Sequence, residues 1–177
     1  MLRLLLVRHA QSIANQKGIT QGQKVDEPLS ELGKKQAQKL AQGLKNEAIE
    51  SIYSSDLKRA MHTTEEIQKL VNKKCIVDKR LREKDHDTEK NEDLTIRCKS
   101  FLEDIKQLSG TVLVVAHGGS TRAILGISTG DRKKGADLVK DMKQYNACIN
   151  ELHFQENNWL IRKINDVDFL EPFERSS

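Results

Sequence analysis

Aromatic residues are scarce in this chain: one tryptophan, two tyrosines and four phenylalanines among 177 residues, or 4%. That scarcity excludes the stacking platforms on which single-stranded nucleic acid is bound, and the basic residues are interleaved with acids rather than gathered in a stripe. Neither sign of charge dominates, since 30 Lys and Arg against 26 Asp and Glu leave a formal +4. So mild a basicity suits a phosphate-bearing ligand without requiring one. Cysteine is rare as well. Cys75, Cys98 and Cys148 are odd in number and lack metal-ligand spacing, which predicts reduced, mostly buried thiols in a cytoplasmic protein. Long apolar runs are missing: Leu4–Val7 and Val112–Ala116 fall far short of the ~18 residues of a membrane span. The amino-terminal run is broken by Arg3 and Arg8-His9, which argues against a secretory signal. No repeat, low-complexity tract or linker divides the chain. One domain is expected over residues 1–169, with a loosely held tail over 170–177.

What is present alternates between strand and helix patterns. Leu4–Val7 is a continuous apolar run, the mark of a strand buried on both faces. A loop is expected from Gln11 to Glu27. Ser30 then reads as the N-cap of a helix whose stripe is Ala37, Leu40, Ala41 and Leu44. Ile49–Tyr53 is a second strand, and Leu57 to Val71 carries a second helical stripe. Cys75–Val77 is a weak edge strand. Leu94, Cys98, Phe101, Leu102, Ile105 and Leu108 mark a third helix capped near Asn91. Thr111–Ala116 is a second fully buried strand, followed by a helix through Thr121–Leu125, and Ala147–Phe154 with Trp159–Ile164 reads as a hairpin. Such alternation predicts an α/β domain with a mainly parallel sheet, in which ligands bind beyond the carboxyl ends of the central strands.

Both buried strands stop at a histidine, His9 and His117. A single histidine at a strand end is ordinarily a hydrogen-bonded structural residue, but two that face one crevice are not so easily dismissed. Arg8 adds a cation beside His9, and Arg59 in the first turn of the second helix supplies another. Phosphoryl transfer spreads charge over three equatorial oxygens, and the planar fork of arginine meets such oxygens two at a time. Two guanidinium groups also disfavour the imidazolium form, so His9 is expected to be neutral and nucleophilic. With two arginines and a histidine to neutralise the phosphate, no metal or other cofactor is required. Asp85-His86-Asp87 is read as a solvated turn rather than a metal site, since three consecutive residues rarely converge on one ion. His62 and His153 are read as structural, and Arg132-Lys133-Lys134 as a solvated helix start or loop.

Several motifs, in order, resemble the histidine phosphatase superfamily, which includes the cofactor-dependent phosphoglycerate mutases. They are Leu6-Val7-Arg8-His9-Ala10-Gln11-Ser12 with Asn15, Gln21-Gly22, and Pro28-Leu29-Ser30 with Gly33 and Gln36-Ala37. Tyr53-Ser54-Ser55-Asp56-Leu57-Lys58-Arg59-Ala60 with Thr63-Thr64, Leu81-Arg82-Glu83 and Val115-Ala116-His117-Gly118-Gly119 with Arg122 follow. The resemblance implies a three-layer α/β/α sandwich and a phosphohistidine intermediate on His9. It implies that Arg8, Arg59 and His117 form the phosphate pocket, that Gly22 and Gly118 border it, and that Asn15 and Gln21 touch the phosphate or its substrate. Glu83 would be the general acid that protonates the leaving oxygen.

Two positions depart from the family pattern. Alanine stands at position 10 where many members carry glycine. The segment Asp85–Asn91 is polar throughout and runs into the third helix where many members carry a capping insertion. A short cap argues against a mutase, which must retain a bisphosphorylated intermediate while it turns over in the site. The expectation is a metal-independent phosphomonoesterase acting on a phosphorylated small molecule or a phosphoprotein, with nucleic acid and membrane excluded as partners and the oligomeric state open. The alternatives are a phosphoglycerate mutase, a protein phosphohistidine phosphatase and, last, a non-catalytic phosphate-binding protein.

Overall fold

The computed structural model describes residues 1–177. Six strands form one sheet: β1 (Leu2–Arg8), β2 (Ile49–Ser54), β3 (Cys75–Val77), β4 (Gly110–Ala116), β5 (Ile149–Gln155) and β6 (Asn158–Asp166). Their order is β3-β2-β4-β1-β5-β6, the first four parallel and the last two added as an antiparallel hairpin. The helices are α1 (Ile13–Gln16), α2 (Glu31–Leu44), α3 (Lys58–Gln68), α4 (Asn91–Ile105), α5 (Gly118–Ser128) and α6 (Arg132–Val139). None is long and apolar enough to cross a membrane.

Successive strand residues point to opposite faces, and the two apolar runs are divided accordingly. Leu5, Val7, Leu113 and Val115 pack beneath α2 and α3, against Ala37, Leu40, Ala41, Leu44, Ala60 and Ile67. Leu4, Leu6, Val112 and Val114 pack on the other side against Leu94, Cys98, Phe101, Leu102 and Ile105 of α4 and Ile124 and Leu125 of α5. Two apolar faces covered by helices give the expected three-layer sandwich, and they account for runs that do not alternate with polar residues.

Local chemistry sets several boundaries. Ser30 caps α2 by accepting from the Gly33 amide at 3.0 Å. The segment expected to be a loop from Gln11 to Glu27 contains α1, because Ser12 and Asn15 cap it reciprocally: Asn15 N donates to Ser12 Oγ at 3.0 Å and Ser12 N to Asn15 Oδ1 at 3.2 Å. The third helix ends at Ile105 rather than Leu108. Glu156 and Asn157 both adopt positive φ, +52° and +60°, which closes the β5–β6 hairpin in two residues. Arg132-Lys133-Lys134 opens α6 and is exposed.

The tail corrects the expectation of a loosely held segment. Leu170 is buried with Cys148 and Val167. Gln36 Nε2 donates to the Glu174 carbonyl at 2.6 Å, Asn146 N to the Ser176 carbonyl at 2.6 Å, and Lys39 pairs with Glu174 at 2.7 Å. Residues 170–177 carry no apolar periodicity, so their anchorage comes from buried amides elsewhere in the chain. Cys98 and Cys148 are buried and Cys75 is partly so. Burial pushes the Cys98 thiol up to about 12 and the other two to about 11, so all three stay protonated at neutral pH.

Candidate active site

The parallel register sets Arg8 opposite Ala116, so the residues after β1 and β4 leave the sheet side by side. His9 N donates to the Ala116 carbonyl at 2.9 Å, and the His9 and His117 ring centroids lie 5.1 Å apart. From the other side, Ala147 N and Asn146 Nδ2 donate to the His9 carbonyl at 3.2 and 3.3 Å. Ala10 N donates to Thr63 Oγ1 and Gln11 N to Gln36 Oε1, at 3.0 and 2.9 Å. Every peptide group next to His9 is therefore held.

Hydrogen bonding sets the two imidazoles in opposite tautomers. His9 Nδ1 lies 2.8 Å from the Ala10 carbonyl, which can only accept, so Nδ1 carries the proton and Nε2 keeps its lone pair. His117 Nδ1 accepts from Arg59 Nε at 3.2 Å. A guanidinium can only donate, so His117 carries its proton on Nε2, a buried atom with no partner. Both rings titrate well below the ordinary histidine range. For each the leading cause is burial, followed by Arg59. Arg8 adds to the effect on His9, whose ring is 3% exposed. Removal from water thus outweighs the guanidinium charges expected from the sequence.

Arg59, 1% exposed, projects from the first turn of α3. Its Nη2 donates to the Gly22 carbonyl at 2.8 Å and its Nη1 to that of Val25 at 3.2 Å, while Asp26 lies 3.9 Å away. Burial lowers it to about 10, against the opposing pull of Glu83 and Asp26, so it stays cationic at neutral pH. Arg8 donates through Nη1 to the Gln144 carbonyl, and its Nε is buried without a partner. Glu83 follows a 3₁₀ turn at Lys79–Leu81. Its two carboxylate oxygens accept from Gly119 N at 2.9 and 3.1 Å, and Oε1 also accepts from Lys84 N at 2.8 Å.

These groups border a cavity of about 260 Å³ whose wall contains one apolar side chain, Ile19. Arg8, His9, Asn15, Gln21, Gly22, Arg59 and Glu83 line it, and His117 lies buried beside His9. Asn15 Oδ1 is taken by Ser12 and Asn146, which leaves its amide nitrogen for a ligand, and Gln21 Oε1 is buried without a partner. Gly22, at φ +54°, offers its carbonyl to Arg59. Gly118 is not part of the cavity wall. The glycine that the geometry requires is Gly119, where a Cβ would stand 2.1 Å from Glu83 Oε1.

Sequence reasoning missed His86, Thr20 and Ser177, which also line the cavity. The sequence groups His86 with its acidic neighbours, and the fold separates the three. Asp85 accepts from Asp87 N and Thr88 Oγ1 within the turn, Asp87 pairs with Lys24 at 2.5 Å, and His86 faces the cavity. Thr63, Gln36 and Asn146 were missed as supports of the His9 segment. Gln36 and Thr63 stand within the family motifs without a role assigned there, Asn146 carries no motif, and each reaches the segment across 25 or more residues.

Comparison with known proteins agrees with this geometry. A family model described as the histidine phosphatase superfamily (branch 1) matches residues 4–88 and 84–167. Phosphoserine phosphatase 1 of Hydrogenobacter thermophilus is 34% identical, the match covering 98% of this chain and 96% of that protein. A metal-independent phosphoserine phosphatase of Arabidopsis thaliana is 30% identical over 94% of this chain and 82% of its own length. Among solved structures, the phosphoserine phosphatase of Entamoeba histolytica in complex with 3-phosphoglyceric acid superposes with a TM-score of 0.85 at 20% identity, covering 97% of this chain and 100% of that one. With the family pattern spanning nearly the whole chain and the two histidines set on adjacent strand ends, this protein belongs to the histidine phosphatase superfamily and is a phosphatase.

Proposed function

We propose that the enzyme hydrolyses a small phosphomonoester of the phosphoserine type, with His9 as nucleophile. The observation that carries this reading is the opposed tautomers: a lone pair on His9 Nε2 beside an N–H on His117 Nε2. His9 Nε2 attacks phosphorus, a P–N bond forms, and the ester P–O bond breaks. The Glu83 carboxyl gives its proton to the leaving oxygen. Water then attacks the phosphohistidine and yields a proton to the Glu83 carboxylate. The P–N bond breaks, and phosphate departs with the His9 lone pair restored. Arg8, Arg59 and His117 Nε2–H hold the equatorial oxygens throughout, as donors fixed in place before the reaction. Asn15 and Gln21 add polar contacts to the phosphate or the alcohol.

The choice of substrate rests on two supports. Three relatives that match over most of their length are named phosphoserine phosphatases, beside one named a phosphatase and one a probable phosphoglycerate mutase. The cavity is small and polar, and its rim residues Thr20, Gln21 and His86 suit a short alcohol bearing charged groups rather than an apolar one. The test is an acid-quench and alkaline-quench experiment with phosphoserine, 3-phosphoglycerate and p-nitrophenyl phosphate. An acid-labile, alkali-stable phosphoenzyme is expected in the parent and absent from His9→Ala, whose turnover should vanish. Activity in His9→Ala within about tenfold of the parent, a barrier change of only ~1.4 kcal/mol, removes the nucleophile assignment. A kcat/KM for phosphoserine no higher than for p-nitrophenyl phosphate removes the substrate assignment.

A further inference from the structure

Glu83 stands on a short segment between the 3₁₀ turn and α4, with no capping insertion to brace it. The bracing comes instead from Arg97 in the second turn of α4. Its Nη1 donates to the carbonyls of Arg80 and Arg82 at 2.5 and 2.8 Å, and its Nη2 donates to the carbonyl of Glu83 at 3.1 Å. The remaining donors go to Glu89, from Nε to Oε1 at 2.5 Å and from Nη2 to Oε2 at 3.0 Å. All five N–H groups of the guanidinium are therefore used, three of them on the four-residue stretch that ends in Glu83. Glu89 Oε2 also accepts from Asp85 N at 3.1 Å, which closes the segment after Glu83 onto the same pair. Gln23 Nε2 donates to the Glu83 carbonyl at 2.9 Å from the opposite side. Arg97 and Glu89 are both largely buried, with side chains 18% and 13% exposed.

We propose that Arg97, locked by Glu89, is a positioning residue for the reaction: it fixes the Glu83 backbone so that the carboxyl meets the leaving oxygen. This rests on the reading of Glu83 as proton donor. A planar fork with five directed donors can cage three carbonyls and a carboxylate at once, and an ammonium with three donors on one atom cannot. A displacement of about 1 Å at a reacting group is enough to cost ~100-fold in rate. The clamp thus does for Glu83 what the Ala10–Thr63 and Gln11–Gln36 hydrogen bonds do for His9.

The test separates positioning from mere stability through the leaving group. Single-turnover phosphorylation is measured for phosphoserine, other alkyl phosphates and p-nitrophenyl phosphate with the parent, Glu83→Gln, Arg97→Lys and Glu89→Gln. An aryl oxygen departs without a proton, so loss of the acid slows alkyl esters far more than the aryl ester. Arg97→Lys is expected to slow the alkyl esters by at least about tenfold while p-nitrophenyl phosphate stays within about threefold. Glu89→Gln keeps the shape and removes the charge, and it should shift the series the same way by a smaller factor. In the Glu83→Gln background, Arg97→Lys should add no further leaving-group dependence. A uniform loss across the series in Arg97→Lys, or no loss, overturns the proposal. Should Arg97→Lys not fold, Glu89→Gln decides by the same criterion. A flat series in Glu83→Gln refutes the acid role of Glu83 itself, a separate failure visible in its own arm.

Discussion

Replacing Arg59 by lysine keeps a positive charge in the phosphate pocket and removes the fork, so it separates charge from geometry. The native guanidinium, 1% exposed, directs Nε at His117 Nδ1, Nη2 at the Gly22 carbonyl and Nη1 at the Val25 carbonyl. A lysine ammonium has one nitrogen and cannot reach three acceptors spread around a plane. Loss of one charge-assisted hydrogen bond costs about 1.5–3 kcal/mol, which in a protein of this size lowers the melting temperature by about 3–12 °C. The effect on catalysis is separate. Without the Arg59 donor, His117 is free to move its proton to Nδ1, and the N–H facing the phosphate is lost. Removal of one preorganised donor costs about 2.7–4 kcal/mol in the transition state, or 10²–10³ in kcat. The assay is steady-state kcat and KM with phosphoserine for the parent, Arg59→Lys and Arg59→Ala, with melting curves on the same preparations. Arg59→Lys is expected to lie much nearer to Arg59→Ala than to the parent in kcat. A kcat for Arg59→Lys within about threefold of the parent, a barrier change of ~0.7 kcal/mol, would refute the claim that its fork geometry matters.

Two further outcomes follow from the same site. His9 and His117 titrate far below the ordinary range in the folded protein, so between their folded and unfolded values it is the unfolded chain that binds the protons. Stability is therefore highest above about pH 6.5 and falls as the pH drops below it, both groups contributing, as urea titrations at pH 7 and pH 5.5 would measure. His9→Ala should remove about half of that dependence, and an unchanged dependence would refute the assignment. At Gly33, a Cβ would stand 1.9 Å from the Gln11 carbonyl oxygen, so α2 is pressed against the backbone that carries His9. Gly33→Ala should destabilise by about 3 kcal/mol or more and lower kcat as well, because the Gln11 peptide must move; an unchanged melting curve and kcat would contradict that packing.

The apolar runs Leu4–Val7 and Val112–Ala116 determined two central strands buried on both faces, since only a sheet covered on both sides hides every residue of a strand. The order of the motifs then fixed the family, and with it the placement of His9, His117, Arg8, Arg59 and Glu83 around one crevice. Ser30 announced its helix for a similar reason: a cap acts over three residues, and such short-range chemistry is written in adjacent letters. Only the tertiary structure decided the rest. Which tautomer each histidine adopts depends on Arg59 for His117, 58 residues away, and on how the Ala10 carbonyl turns back on His9. The tail is held by Gln36 and Asn146, amides that act across 138 and 30 residues. The clamp on Glu83 comes from Arg97, one charged residue among many on a helix whose sequence reports only its apolar stripe. Burial, the leading cause of the neutral His9 ring, belongs to the whole fold, because it sums over every element packed around that atom and is a property of no single segment.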